Sequence, residues 1–321
     1  MKQDYPQLGI GPLCRLLGKT RHAYYDHQKR LQGQCLRDDI ILAKVLEVRE
    51  ELPRIGTLKL HHMLTPVFRS HNMKVGRDYM FDLLGQYGLL VRARRRRPVT
   101  TNSRHWMHKY PNLIRGLEPT RPEQLWVSDI TYVRLKGQWA YLSLITDGYS
   151  KQIMGYALRT DLSAQGCLDA LKMAFLHRRF PESELMHHSD RGSQYCSKEY
   201  VELLLSHKVA ISMTENGDPL ENAVAERVNG TIKNEFDRGL PLAGIEETRK
   251  RVTKSIEAYN NLRPHLSIDM KTPKEAHRLQ GPIRKRWKKK NYNRTKQQLY
   301  SKFEINSLPC IAKSVFINEC V

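Results

Sequence analysis

The chain has 321 residues, 40% of them apolar, and carries 54 Lys and Arg against 33 Asp and Glu, a net charge of +21. No run approaches the roughly 18 apolar residues of a membrane span. The N-terminus shows neither the apolar stretch nor the small-residue cleavage site of a secretory leader, so no membrane association is expected and a cytoplasmic location is the default.

The charge is uneven: net +12 over residues 1–112, +1 over 113–281 and +8 over 282–321. A near-neutral middle between two basic flanks points to a catalytic module with polyanion-gripping ends, ahead of the plainer reading of solubilising basic tails. The six cysteines include no C-x-x-C pair and imply no disulfide framework. Cys14, His22, His27 and Cys35 match no familiar zinc spacing and read as ordinary helix residues.

Residues 5–30 predict two short helices about Gly18, the second restarting from Thr20 as N-cap. Over 37–90 three more helices are expected. RDDIILAKVLEVREEL is ended by Pro53, GTLKLHHML is closed by Pro66, and VGRDYMFDLLGQYGLL repeats its apolar residues at helical spacing. Such a bundle suits DNA binding in the helix-turn-helix manner, with a plain packing module as the alternative, and Arg77 is a candidate contact. Arg92, Arg94, Arg95, Arg96 and Arg97 cannot pack in a core; they form either a solvated linker or an arm on phosphate, and the two are compatible. The expected divisions are 1–35 (helix-turn-helix-like segment), 36–97 (helical DNA-binding domain), 98–118 (linker), 119–281 (catalytic core) and 282–321 (basic tail).

From residue 125 the pattern turns strand-like. LWVSDITYV, WAYLSLITD and QIMGYAL are separated by short turns and should pair antiparallel. Helices near 163–178 and 198–207 then alternate with strands ending at His188 and Met213, and a long helix is expected over about 219–237. Further helices are expected at 246–260 and 273–280. The result is an α/β fold with a mixed five-stranded sheet.

Three carboxylates stand out. Asp129 lies mid-strand between apolar neighbours on both faces, where an ionised group is costly unless paired or bound to metal. Asp190 follows the strand ending at His188, where open α/β sheets place ligands, although a turn aspartate would also fit. For the third, Glu221 and Glu226 compete. Asp218-Pro219-Leu220-Glu221 reads as a capping box, giving Glu221 a structural task. Glu226 lies opposite the Val224, Val228, Ile232 and Phe236 stripe, on the face of Asn222 and Lys233, and alone would pass for a solvated glutamate. Together, carboxylates from a strand, a strand end and a helix meet the need of two-metal phosphoryl transfer, with Mg²⁺ favoured by oxygen ligands.

WVSDITY (126–132), HSDRGSQY (188–195) and ENAVAERVNGTIKNEF (221–236) resemble the signatures of DDE transposases and retroviral-type integrases, and 35 residues separate Asp190 from Glu226, the spacing of that family. YNNLRPHLSIDMKTPKEA (259–276) resembles the segment that closes the core in insertion-sequence transposases, and the helices of 54–92 resemble their upstream helix-turn-helix region. The closest resemblance is to OrfB-type insertion-sequence proteins. It implies a ribonuclease H-like integrase core behind a small all-α domain, and dependence on two Mg²⁺ (or Mn²⁺) ions. It makes Asp129, Asp190 and Glu226 the metal-binding catalytic triad, Lys233 a DNA contact, and Asn222 a residue that shapes the site.

The expected activity is DNA transposition, in which element ends are cut and joined to target DNA. Pairing two ends favours at least a dimer, and an upstream-frame (OrfA-type) protein or fusion is a possible partner. The competing reading is a DNA-binding regulator of the element without catalysis. Tyr132 and Tyr195 lie near the acids, but the Arg and His constellation of a tyrosine recombinase is not evident.

Overall fold

A computed structural model of the chain describes residues 7, 9–91, 106–215, 222–236 and 243–286. The arginine run 92–97, residues 218–221 and the tail from 287 onward lie outside the described residues.

Helix α1 (Ile10–Leu16) ends at Gly18, which takes a positive φ of 63° that a side chain would resist. The Thr20 hydroxyl then caps α2 by accepting from the Ala23 amide at 3.1 Å, as expected. The two helices expected after Thr20 are instead one, because α2 runs unbroken over Arg21–Glu51. A division at 35–36 therefore falls inside a helix. Apolar periodicity fades over 21–36 because that half is largely exposed and has no face to bury, whereas Ile41 and Val45 are fully buried.

Helix α3 (Thr57–Ser70) likewise passes through Pro66, where sequence placed its end. Proline removes the bond to the carbonyl four residues back, here on exposed His62, where water can replace it. Leu60, Leu64 and Phe68, spaced by four and almost fully buried, hold the helix together. Helix α4 (Arg77–Gln86) adds Met80, Leu83 and Leu84 to the same core.

The core domain is a five-stranded sheet. Strands β1 (Leu125–Arg134), β2 (Trp139–Asp147) and β3 (Ile153–Arg159) pair antiparallel, and β4 (Met186–Ser189) and β5 (Ala210–Met213) add in parallel beside β1. The order β3-β2-β1-β4-β5 is the mixed arrangement expected of a ribonuclease H-like core. Helices α5 (Ala164–Leu176) and α6 (Lys198–Ser206) cover one face around Trp126, Met154 and Tyr200. Helices α7 (Ala223–Glu235) and α8 (Ile245–Asn261) cover the other around Leu142, Leu144 and Tyr259. A short 3₁₀ turn (Leu266–Ile268) and α9 (Pro273–Ala276) close the domain.

Helix α5 lies directly on the backbone of β3. A Cβ at Gly155 would stand 2.0 Å from the Ala170 carbonyl oxygen and 2.7 Å from the Ala174 nitrogen. Backbone cannot yield as a side-chain tip can, so Gly155→Ala is expected to lose about 3 kcal/mol or more. Urea denaturation with far-UV circular dichroism checks this, and an unchanged midpoint would contradict it.

The helical N-terminal region is joined to the core at the last turn of α7. The Glu235 carboxylate takes two hydrogen bonds from Arg263, at 2.7 Å and 2.6 Å, and pairs with Lys59 of α3 at 3.4 Å, while its carbonyl accepts from the Arg54 amide at 3.0 Å. Ala258 of α8 and Phe236 enter the apolar core of α2–α4.

A second buried network closes the domain. Glu123 and Asp147 are completely buried, and His277, just after α9, stands against both. His277 Nε2 lies 3.2 Å from Glu123 Oε1, and its Nδ1 lies 2.9 Å from Ser150 Oγ, which donates to Asp147 at 2.7 Å. Asp147 also accepts from the Glu123 amide at 2.7 Å. Thr272 and Glu275 form a capping box at the start of α9, which fixes where His277 emerges.

Candidate active site

Asp129 shares a face of β1 with Leu125 and Val127, and its cross-strand partner is Leu144. Leu125 and Val127 pack against Ala225, and Leu144 packs in the cluster of Val228 and Ile232, so this is the face α7 covers. Strand parity therefore aims Asp129 at α7. Asp190 follows the last residue of β4, the neighbouring strand, and its Oδ1 accepts from the Gly192 amide at 3.0 Å. A Cβ at Gly192 would approach the same oxygen to 3.0 Å, so glycine lets the loop turn tightly around the acid. Tyr195, 2% exposed, plugs that loop into the core beside Tyr200 and is too buried to act as a nucleophile.

The third element is α7. Its N-cap is Asn222, whose side chain makes no cap bond but donates to the Ser128 carbonyl at 2.9 Å, tying the start of the helix to β1. The described helix thus begins at Ala223, later than the start near 219 expected from sequence, and Glu221 lies outside the described residues. Glu226 is exposed on the first turn, and Lys233 is exposed two turns on.

Electrostatics link these groups. Burial and then the charge of Asp190 push the Asp129 carboxyl up to about 7, Asn229 works against them, and Glu226 adds a smaller upward push. Burial lowers the Lys233 ammonium, and the charge of Asp129 opposes that shift. Two carboxylates held side by side with one forced toward its neutral form make a site deficient in positive charge.

Asn229 is the residue sequence reading missed. It is 4% exposed, and its Nδ2 donates to Asp129 Oδ2 at 2.7 Å. Its own Oδ1 is buried without a hydrogen-bond partner. An orphaned oxygen beside two carboxylates is a donor set for a hard, oxygen-loving divalent cation and its water. Among the described residues no three acidic, His or Cys side chains are already close enough to hold one ion. Asp129, Asp190 and the Asn229 oxygen thus suit such a cation in their chemistry, and Glu226 stands exposed on the same helix as Asn229. Asn229→Ala frees Asp129 to rotate and should weaken metal-dependent activity about 10–100-fold. The metal concentration for half-maximal rate checks it, and an unchanged value would contradict it.

Arg77 begins α4 and pairs with its neighbour Asp78 at 2.8 Å. Arg92, Arg94, Arg95, Arg96 and Arg97 lie outside the described residues.

Two family models, each described as an integrase core domain, match residues 119–219 and 207–273. The chain is 32% identical over 265 residues to an insertion element IS600 protein of 31 kDa from Shigella sonnei, covering 81% of this chain and 96% of that one. It is 29% identical over 274 residues to transposase InsF of insertion sequence IS3A from Escherichia coli, covering 83% and 92%. The chain belongs to the IS3 family of insertion-sequence transposases.

This transposase is accordingly a polynucleotidyl transferase of the DDE type. A further relative, the transposase for IS629 of Shigella sonnei, is 29% identical over 277 residues, covering 84% of this chain and 92% of that one. Among solved structures, the HTLV-2 integrase catalytic core domain in complex with magnesium is 21% identical with a TM-score of 0.40, covering 49% of this chain and 97% of that one. The simian T-cell lymphotropic virus intasome is 17% identical with a TM-score of 0.45, covering 71% and 77%.

Proposed function

We propose that Asp129, Asp190 and Glu226 hold the divalent cations, magnesium or manganese, with which this transposase cuts the ends of its element and joins them to a second DNA site. The observation that carries this reading is the mutual repulsion of Asp129 and Asp190 in a half-buried, oxygen-lined site whose Asn229 oxygen has no partner. Cations bound there would sharpen a water or a 3′-hydroxyl as nucleophile and neutralise charge on the phosphate under attack.

The protein's own groups set the geometry. Asn229 fixes the rotation of Asp129, the Gly192 amide fixes Asp190, and Asn222 anchors the start of α7, the helix that carries Glu226. Lys233 places a positive charge within reach of Asp129, where a DNA phosphate would pass. In the first reaction a water oxygen bonds to phosphorus and the bond to the 3′ oxygen breaks, leaving a 3′-hydroxyl. In the second, that hydroxyl oxygen bonds to a target phosphorus and displaces a 3′ oxygen of the target strand. No covalent link to protein is required. Element ends, target DNA and a second copy of the chain are the partners this reading needs. The upstream-frame protein is a further one.

The test is cleavage and joining of a labelled duplex bearing the element's end, with Mg²⁺ or with chelator, and with or without the upstream-frame protein. Glu226→Gln should remove both products, and Glu221→Gln should retain them within about threefold. The reverse pattern would move the third acid to Glu221. Products in chelator would overturn the metal assignment.

A further inference from the structure

A cavity of about 790 Å³ lies beside the acids, bounded by the first turn of α7, the end of β2, the 3₁₀ turn and the segment after α9. Val127, two residues before Asp129 on the same face of β1, lines it, and so does Arg227, next to Glu226 on α7. The first turn of α7 thus separates the cavity from the triad. A strand leaving Glu226 would meet the cavity next.

Its lining carries more cations than carboxylates: Arg115, Lys151, Arg227 and Lys285 against Glu118. Among the described residues neither Lys151 nor Arg227 has a carboxylate within ion-pair distance, and the Lys151 ammonium donates to the Gly148 carbonyl. Lys285 at the rim is paired with Glu118 at 2.9 Å. Burial lowers the Lys151 ammonium to about 8, with the charge of Asp147 opposing and Lys285 and Arg227 adding to the shift. Lys151 is also held in place: its backbone sits at a positive φ of 66°, its amide donates to the Asp147 carbonyl at 2.9 Å, and its carbonyl accepts from Tyr259 at 3.0 Å.

Apolar side chains also line it, among them Ile114, Leu117, Val224, Ile268 and Ile283. Cationic and apolar groups in one cavity suit a ligand that carries both an anionic group and a flat apolar one, which describes a nucleotide. The volume falls within the usual range of roughly 300–1,000 Å³ for small-ligand sites. A duplex is too wide to enter, so the nucleotide must leave the base stack.

We propose that this cavity takes one unpaired nucleotide of the bound DNA, its phosphate between Lys151 and Arg227 and its base against Ile268 and Ile283. The inference rests on the catalytic reading above, since it needs the strand to run over α7.

The experiment uses end duplexes that each carry a single 2-aminopurine at one position across the scissile phosphate, with Ca²⁺ in place of Mg²⁺ and saturating full-length protein. One or two positions next to the scissile phosphate should brighten several-fold on binding, and equally so with Asp129→Asn. Arg227→Gln, which breaks no ion pair among the described residues, and Ile283→Trp, which fills the cavity, should each cut that signal at least threefold while melting normally. If the wild-type chain cuts and joins ends but no position brightens, the cavity proposal is overturned alone. A signal that survives both variants overturns it too. A chain that neither binds nor cuts end DNA removes both readings.

Discussion

Asp129→Asn is expected to lower end cleavage and joining by at least about 1,000-fold, because loss of a metal ligand forfeits several kcal/mol of transition-state stabilisation, at about 1.4 kcal/mol per decade. The protein should fold normally, since asparagine keeps the shape and can still bond to Asn229. The same residue gives a readout independent of activity. With its carboxyl pushed up to about 7, Asp129 in the metal-free protein binds a proton that the unfolded chain, at an ordinary aspartate value, releases. Between about pH 4 and 7 the native state therefore holds more protons, and this group's contribution to stability falls as pH rises. Cation binding reverses that loss. Millimolar Mg²⁺ should raise Tm by about 2–4 °C for each kcal/mol of binding. The gain should grow with pH across that window and vanish in Asp129→Asn. An equal gain in the variant would place the ion elsewhere.

His277→Ala should be the most destabilising of the substitutions considered. Glu123 is pushed up by burial, but His277 and the amides of Arg179 and Phe180 outweigh this and leave its carboxyl below the usual range. Asp147 is held above its usual range by burial, with His277 and Ser150 opposing. Removing the imidazole strips both buried acids of a shared partner. A broken buried charge network costs roughly 3–5 kcal/mol. For a domain of this size that is a drop in Tm on the order of 10 °C. Calorimetry on the full chain checks it, and a change under 2 °C would show that Ser150 and the backbone donors suffice.

The strands and the two aspartates were legible in the sequence because their signals are local. Asp129 interrupts an apolar strand, and Asp190 sits between a strand and a glycine turn. Asn229 was not legible: three residues past Glu226, it reads as one more polar position on a solvated helix. Only the packing of Val228 and Ile232 against the sheet turns it toward Asp129. His277 was hidden for a similar reason, since its partners lie 127 and 154 residues away in sequence. The helix breaks expected between residues 30 and 37 and at Pro66 fall inside α2 and α3, because helix continuity there depends on burial farther along the same helix.

The Glu235 junction has a mechanical consequence. One carboxylate answers to two masters, Lys59 in the helical region and Arg263 in the core, and it terminates the same rigid rod that bears Glu226 near its origin. Nine residues of α-helix span about 13.5 Å and scarcely compress. Any shift of the helical region is therefore delivered along α7 as a push or pull on the acid we assign as the third ligand. By linkage, whatever moves Glu226 toward the aspartates biases the helical region by the same free energy.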